Sequence, residues 1–425
     1  MNPKIFIGCY DIAGIFSGLY TGFKDLRIQC TIFLPHVHPF QYSTLEDIPL
    51  TMKVLNQLFV FLYRKPKGIF KLIGGGVFFI LKWLIMIFYF PFVFFKHDVF
   101  IFTSGITFFE GIELPLYRLF GKKVIAVFTG SDSRPSYFAP NFHGTNISKL
   151  VKKAKKQKNH INRLEKYDVI CINYNPIAIF HSKPFINYLY LGVPLNRKTH
   201  SEPYKKKRHK ILKILHSPSN PEAKGTKDII KVIDEINSKE KKVELVLLKG
   251  VPNNVVIEKI QEADFVVDQK YSDVPMAIFA AEAAFFGTPT LVCGDYAEQL
   301  LLDYDKSVLP PTLYVLPENM KDGIIKMIEN KEYRIEMGIK AKEFVRNKWS
   351  PKQVAKNYLR IINDDIPTEW IQNPFSLSVI SPIGDKKVVA LLVKSIIDKY
   401  GFDSLQIDDK PEIKKGVMDL IEKFS

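Results

Sequence analysis

Glu282 is the acid around which the candidate chemistry of this chain gathers. It is the lone charged residue in 277–287, a helix-like run of Ala and Phe closed by Gly287 and Pro289. An apolar strand over 265–267 precedes it and ends in Asp268 and Gln269; a second strand over 290–293 follows and leads to Gly294. An ionised carboxylate offers acceptors only, so on the inner face of such a helix it suits paired hydroxyls such as those of a ribose. The plain alternative is a partly exposed helix glutamate.

Five further groups stand at strand ends, where ligand-facing polar residues collect in parallel sheets. Lys224, beside Gly225 in the loop from Ser217 to Thr226, is a point charge ahead of a helix N-terminus, a pairing that could meet a diphosphate or form an ordinary turn. Gly14, after Asp11-Ile12-Ala13, lets backbone approach a ligand without a Cβ in the way, though no dinucleotide fingerprint surrounds it. Asp132, in Thr129-Gly130-Ser131-Asp132-Ser133-Arg134, could hydrogen-bond sugar hydroxyls, act as a base, or cap a turn. Asp268 and Gln269 could reach a cleft, or Asp268 could cap the loop that follows. His36 and His38 follow Pro35 and could serve an acceptor; with no third ligand in view, no metal site is expected.

The elements that must position these residues alternate. Strand patterns over 5–9, 28–34, 99–103, 124–129 and 169–173 are separated by helix patterns over 11–26, 110–120 and 147–167. The pattern breaks over 192–208 into Gly, Pro and charge, the expected linker. It then resumes with strands over 211–216 and 243–248 and helices over 227–237 and 253–262. Residues 1–195 and 196–366 therefore read as two doubly wound α/β units with a cleft between them, and 367–425 as a helical tail.

At 425 residues, 47% hydrophobic and 24% charged, the chain is long enough for two cored domains and too apolar for global disorder. The formal net charge of +16 is concentrated: 149–166 and 197–213 each hold eight basic residues and one acid. Such patches suit phosphate-bearing or anionic surfaces; without zinc spacing, an RNP-like strand or a helix-turn-helix, nucleic acid is not the expected partner. Cys9, Cys30, Cys171 and Cys293 lie singly in apolar runs, the pattern of buried thiols in a reducing cytosol. The apolar run over 5–9 is too short for a secretory leader.

Residues 72–95 hold 24 residues with one charge, Lys82. The length passes the threshold for a spanning helix. Gly74-Gly75-Gly76, Pro91 and the central lysine interrupt it, and a span would divide one sheet across the bilayer. A lysine-flanked, aromatic helix lying in the membrane interface over 69–96 is the expectation, with a buried helix and a true span as alternatives.

The residues also carry a resemblance. Glu282-Ala283-Ala284-Phe285-Phe286-Gly287-Thr288-Pro289 resembles the Glu-Ala-x-x-x-Gly-x-Pro donor motif of retaining GT-B glycosyltransferases of family four. That family places an acid eight positions earlier; here Val274 stands there, with Asp273 beside it. Thr129 to Arg134 resembles a subgroup's His-Gly-Ser-Asp-x-Arg, Leu191-Gly192-Val193-Pro194 its end of the first domain, and Ser217 to Thr226 its phosphate loop, with Pro221 where an arginine is usual. The resemblance implies a GT-B fold of two Rossmann-like domains, the first on the acceptor side and the second binding a nucleotide diphosphate sugar. It implies retaining transfer to a lipid-linked or surface-glycan acceptor, without an essential metal or other cofactor, at the cytoplasmic face of a bacterial membrane. Glu282 would take the ribose, Lys224 and Gly225 the diphosphate, and the backbone of Gly14, Met276, Ala277 and Ile278 would approach phosphate or sugar. Asp268 and Gln269 would join the donor side, Asp132 would face the reacting sugar, and His36, His38 and Arg134 would lie on the acceptor side. Two other readings stay open: a sugar-nucleotide epimerase or degenerate binder on the same fold, and an integral membrane protein with a cytosolic binding module.

Overall fold

The computed structural model describes residues 2–34, 54, 57, 70–195, 211–238 and 243–424. Two parallel sheets organise them. In chain order the first carries β1 (Ile5–Gly8), β2 (Cys30–Phe33), β3 (Val99–Thr103), β4 (Lys123–Val127), β5 (Ile170–Asn173) and β6 (Phe185–Asn187). The second carries β7 (Leu212–His216), β8 (Val243–Leu247), β9 (Phe265–Val267), β10 (Thr290–Cys293) and β11 (Leu313–Val315), and a last short strand, β12 (Ile371–Gln372), returns to the first.

The spatial orders are β12-β6-β5-β4-β3-β1-β2 and β11-β10-β9-β7-β8. All pairings are parallel except that of β12 with β6. Each order reverses beside the sheet's first strand, and in such sheets ligands bind in the crevice beyond the strands' carboxyl ends at that reversal. The α/β arrangement expected from the sequence, two parallel sheets with helices packed on them, is present.

Strand periodicity divides the first domain's core into two faces. Ile5, Ile7, Val99 and Ile101 point to one side, packing with Phe16, Leu19 and Phe23 of the Ile15–Asp25 helix and Tyr358 of the Pro351–Ile362 helix. Phe6, Phe100 and Phe102 point to the other, an aromatic layer shared with the Phe70–Lys96 and Ile147–Lys166 helices. The tail completes that layer: Val389, Val393, Ile413 and Val417 of its Lys386–Tyr400 and Pro411–Phe424 helices join the same cluster. Tyr137 donates to the carbonyl of Leu405 at 2.9 Å.

Among the described residues no helix is long and apolar enough to cross a membrane. The Phe70–Lys96 helix continues through both Gly74-Gly75-Gly76 and Pro91, contrary to the interruption the sequence pointed to. Packing on either side of the proline holds it: Met86, Phe90, Val93 and Phe94 are buried, with Phe90 edge-on to Phe108 at 5.5 Å and Phe94 against Tyr117 at 5.4 Å. Among the described residues of the opposite face, Leu84, Ile87, Phe88, Phe92 and Phe95 are exposed.

The Ile15–Asp25 helix is pinned by two glycines a turn apart. A Cβ at Gly18 would drive into the carbonyl of Pro194, and one at Gly22 into that of Pro351. The second contact sits where the chain returns from the second sheet to pack on the first. Gly22→Ala, which in an open helix gains about 1 kcal/mol, is therefore expected to cost roughly 1–3 kcal/mol by overpacking. Denaturant melts measure it, and a stabilised variant would show that the crossing has room to spare.

Candidate functional site

The carboxyl edges of the two sheets face one another across a cavity of about 390 Å³. Its walls come from the ends of β1 (Ile12, Ala13), β4 (Thr129, Gly130, Ser131, Arg134), β7 (Ser217 to Ser219, Lys224) and β9 (Asp268, Gln269, Ser272, Asp273). Glu282 closes it from the Ile278–Phe285 helix.

Glu282 faces this cavity and is only 2% exposed. The side-chain amide of Asn253 donates to both carboxylate oxygens, at 3.0 and 3.3 Å. Asn253 is the first residue of the Asn253–Glu262 helix, reached through the Gly250-Val251-Pro252 turn after β8. A carboxylate oriented by an amide and buried at a cavity wall is set to accept further donors in a fixed direction.

Lys224 lies opposite in charge on the same wall. Its ammonium donates to Gln269 Oε1, and Gln269 Nε2 in turn donates to Ser272 Oγ at 2.6 Å. The Lys224 carbonyl accepts from Lys270 N at 3.0 Å, which ties the phosphate-loop candidate to the end of β9. Burial lowers the Lys224 pKa, against the pull of Asp268, and nearby Arg134 lowers it further. Asp268 is driven up by its own burial, partly offset by Lys224. Among the described residues, Asp268 Oδ2 is buried without a hydrogen-bond partner. A half-buried cation and a buried, under-satisfied acid mark a site that a polar ligand would complete.

Arg134 reaches the cavity from the first sheet and meets Asp273 from the second. Its Nε donates to Asp273 Oδ1 at 3.3 Å and its Nη2 to Oδ2. Val274 occupies the position eight before Glu282, and both it and the acid one step earlier, Asp273, lie at the cavity wall.

Other candidates are placed differently. Asp132 is not in the cavity wall: it accepts from the backbone N–H of Thr129 (3.0 Å), Gly130 (2.8 Å) and Ser133 (3.1 Å) and from the Ser104 hydroxyl. That is the geometry of a turn-forming acceptor. Gly14 and Gly225 are both left-handed N-caps, with φ of 82° and 69°, and it is their neighbours Ala13 and Lys224 that line the cavity. Ala277 and Ile278 line it, whereas Met276 is buried in the core behind. His36 and His38 lie outside the described residues. Asn253 and the partnership of Asp273 with Arg134 escape sequence reasoning; the signal available for Asn253 was its place after a parallel strand's carboxyl end.

The chain matches no protein-family model and no curated protein. Solved structures of similar shape include the spinosyn rhamnosyltransferase SpnG, 11% identical over 84% of this chain and 100% of that one, with a TM-score of 0.43. The glycosyltransferase SnogD of Streptomyces nogalater is 12% identical over 84% of this chain and 99% of its own, with a TM-score of 0.39. TarM is 14% identical over 62% and 54%, with a TM-score of 0.35. At these identities and TM-scores, the chemistry of the site rests on its own side chains.

His216 holds the second sheet's reversal point together. Its Nδ1 donates to the carbonyl of Val267 at 2.8 Å, bridging β7 to β9, and its Nε2 accepts from Thr226 Oγ1 at 2.9 Å at the head of the Thr226–Ile236 helix. Burial pushes its pKa down from the ordinary 6.5 to about 4. Between those values the unfolded chain takes up a proton that the fold refuses, so stability is complete above the higher value and falls as pH drops toward the lower. The loss amounts to about 3 kcal/mol at most. Chemical denaturation of wild type and His216→Gln is expected to give a wild-type curve that falls more steeply through this window; parallel curves would show that His216 does not drive the loss.

Proposed function

We propose that this chain is a glycosyltransferase that takes a sugar from a nucleotide diphosphate sugar and passes it to a lipid-linked or surface-glycan acceptor. The observation that carries the reading is the joining of Glu282 and Lys224 in one cavity at the carboxyl edge of β7 and β9. Glu282, held by Asn253, accepts the ribose hydroxyls. Lys224 meets the diphosphate, and its lowered pKa is restored when an anion arrives. The charge that develops on the departing diphosphate is then met by a cation already in place, the usual source of transition-state stabilisation for such leaving groups. In this reading basic side chains and backbone do the work that a metal does elsewhere, and the product keeps the anomeric configuration of the donor. The first sheet's wall, with Ala13, Thr129 and Ser131, takes the acceptor.

The exposed residues of the Phe70–Lys96 helix support a membrane-borne acceptor. Phe88, Phe92 and Phe95 are 78%, 64% and 70% exposed, and Ile112, Leu119 and Phe120 extend the same kind of surface nearby. Phe95 and Phe120 are in edge contact at 6.1 Å. Patches of this kind mark interaction surfaces, and with Lys96 and Arg118 beside it this one fits the interface of an anionic membrane, on its cytoplasmic side.

Three measurements test the proposal. A thermal-shift screen across UDP, GDP, ADP and CMP is expected to single out a nucleoside diphosphate, and calorimetry with Glu282→Ala to show about tenfold weaker binding or more, roughly 1.4 kcal/mol. Binding within about threefold of wild type would make Glu282 structural; tight binding with neither hydrolysis nor transfer of the matching sugar nucleotide would make the chain a binding protein. Co-sedimentation with phosphatidylglycerol vesicles is expected to fall about tenfold in a Phe88→Ser, Phe92→Ser, Phe95→Ser triple variant. Unchanged sedimentation would remove the membrane from the account.

A further inference from the structure

Arg134 and Asp273 form an ion pair between domains, 5% and 8% exposed, on the wall of the cavity that holds Lys224. The attraction within such a pair repays its desolvation only where the geometry is excellent and the remaining donors and acceptors are satisfied. The backbone of Arg134 is fixed: its N–H donates to Gly130 O at 3.0 Å, and Gln157 Nε2 donates to its carbonyl at 2.8 Å and to that of Ser131 at 3.1 Å. Only the side chain is left to swing. A guanidinium carries five N–H donors in a planar fork, and Nε and Nη2 alone point at Asp273. The phosphate-loop candidate, meanwhile, has Pro221 and a single cation, Lys224, for a ligand that carries two phosphates.

We infer that Arg134 supplies the second cation for the diphosphate from the opposite domain, exchanging Asp273 for phosphate oxygens when the donor binds. This rests on the nucleotide-sugar reading of the site and deepens it. In the empty cavity Asp273 keeps the guanidinium neutralised; bound diphosphate replaces that acid with a better-matched bidentate acceptor. The exchange ties domain contact to donor occupancy, because the same guanidinium belongs to one domain and both of its alternative partners lie on the other wall. Arg134 on this account is a donor-binding residue, and Asp273 a competitor for it.

The test is titration of wild type, Arg134→Gln, Arg134→Lys and Asp273→Asn with the nucleoside diphosphate and with the matching monophosphate, by calorimetry. Arg134→Gln is expected to weaken the diphosphate about tenfold or more while changing the monophosphate less than about threefold, with Arg134→Lys between. Asp273→Asn, freed of the competing carboxylate, is expected to bind the diphosphate as tightly as wild type or more tightly. If Arg134→Gln weakens both ligands alike, or neither, the pair is a strut and the inference fails. Asp273→Asn weakening the diphosphate as much as Arg134→Gln does would overturn it equally. Should wild type bind neither nucleotide, the reading of the site itself falls; a wild type that prefers the diphosphate, with that preference unmoved in Arg134→Gln, sinks only the role of Arg134. Arg134→Lys retains a cation and guards against a variant that fails to fold.

Discussion

Everything at the site depends on one constraint of parallel sheets: their strands all end at the same edge. Where strand order reverses, the chain leaves neighbouring strands in opposite directions and a crevice opens. This chain makes that crevice twice, beside β1 and beside β7, and sets the two edges face to face. His216 fixes the second by bonding across from β7 to β9 and up to the following helix. The charged side chains are carried on loops that the sheets have already aimed.

The electrostatics follow from that placement. Lys224, Arg134, Asp268, Asp273 and Glu282 are drawn into one partly dry space. Burial disfavours each charge, so the arrangement persists through pairing: Lys224 with Gln269 and the field of Asp268, Arg134 with Asp273, Glu282 with Asn253. Asp268 keeps an oxygen without a hydrogen-bond partner among the described residues. Excess polar capacity of this kind is wasteful in a core and useful in a binding site.

Much of this was legible in the sequence, because the long apolar runs had no other use. VFIFT, KVIAV and ICIN could only be buried strands, and the small-residue helix with its lone acid pointed that acid inward. Three kinds of feature were not. Short strands such as β6, β11 and β12 have two or three residues and no period to detect, and the return of β12 to the first sheet is a long-range pairing that local pattern does not encode. Asp132 sits beside backbone N–H groups that take its oxygens, a turn chemistry that competes with any catalytic role and that residue type alone leaves open. The partnership of Arg134 with Asp273 spans 139 positions and two domains. The Phe70–Lys96 helix shows the same limit from the other side: its composition read as membrane-like, and only packing reveals that one face is spent on the aromatic layer while Phe88, Phe92 and Phe95 of the other are exposed.

The central claim is that the cavity between the sheets holds a nucleoside diphosphate, and a crystal structure of the chain grown with the nucleotide that most raises its melting temperature tests it most directly. The account predicts the ribose hydroxyls on Glu282 and the diphosphate at Lys224. Nucleotide density elsewhere on the chain, or in the cavity with Glu282 and Lys224 untouched, would contradict it.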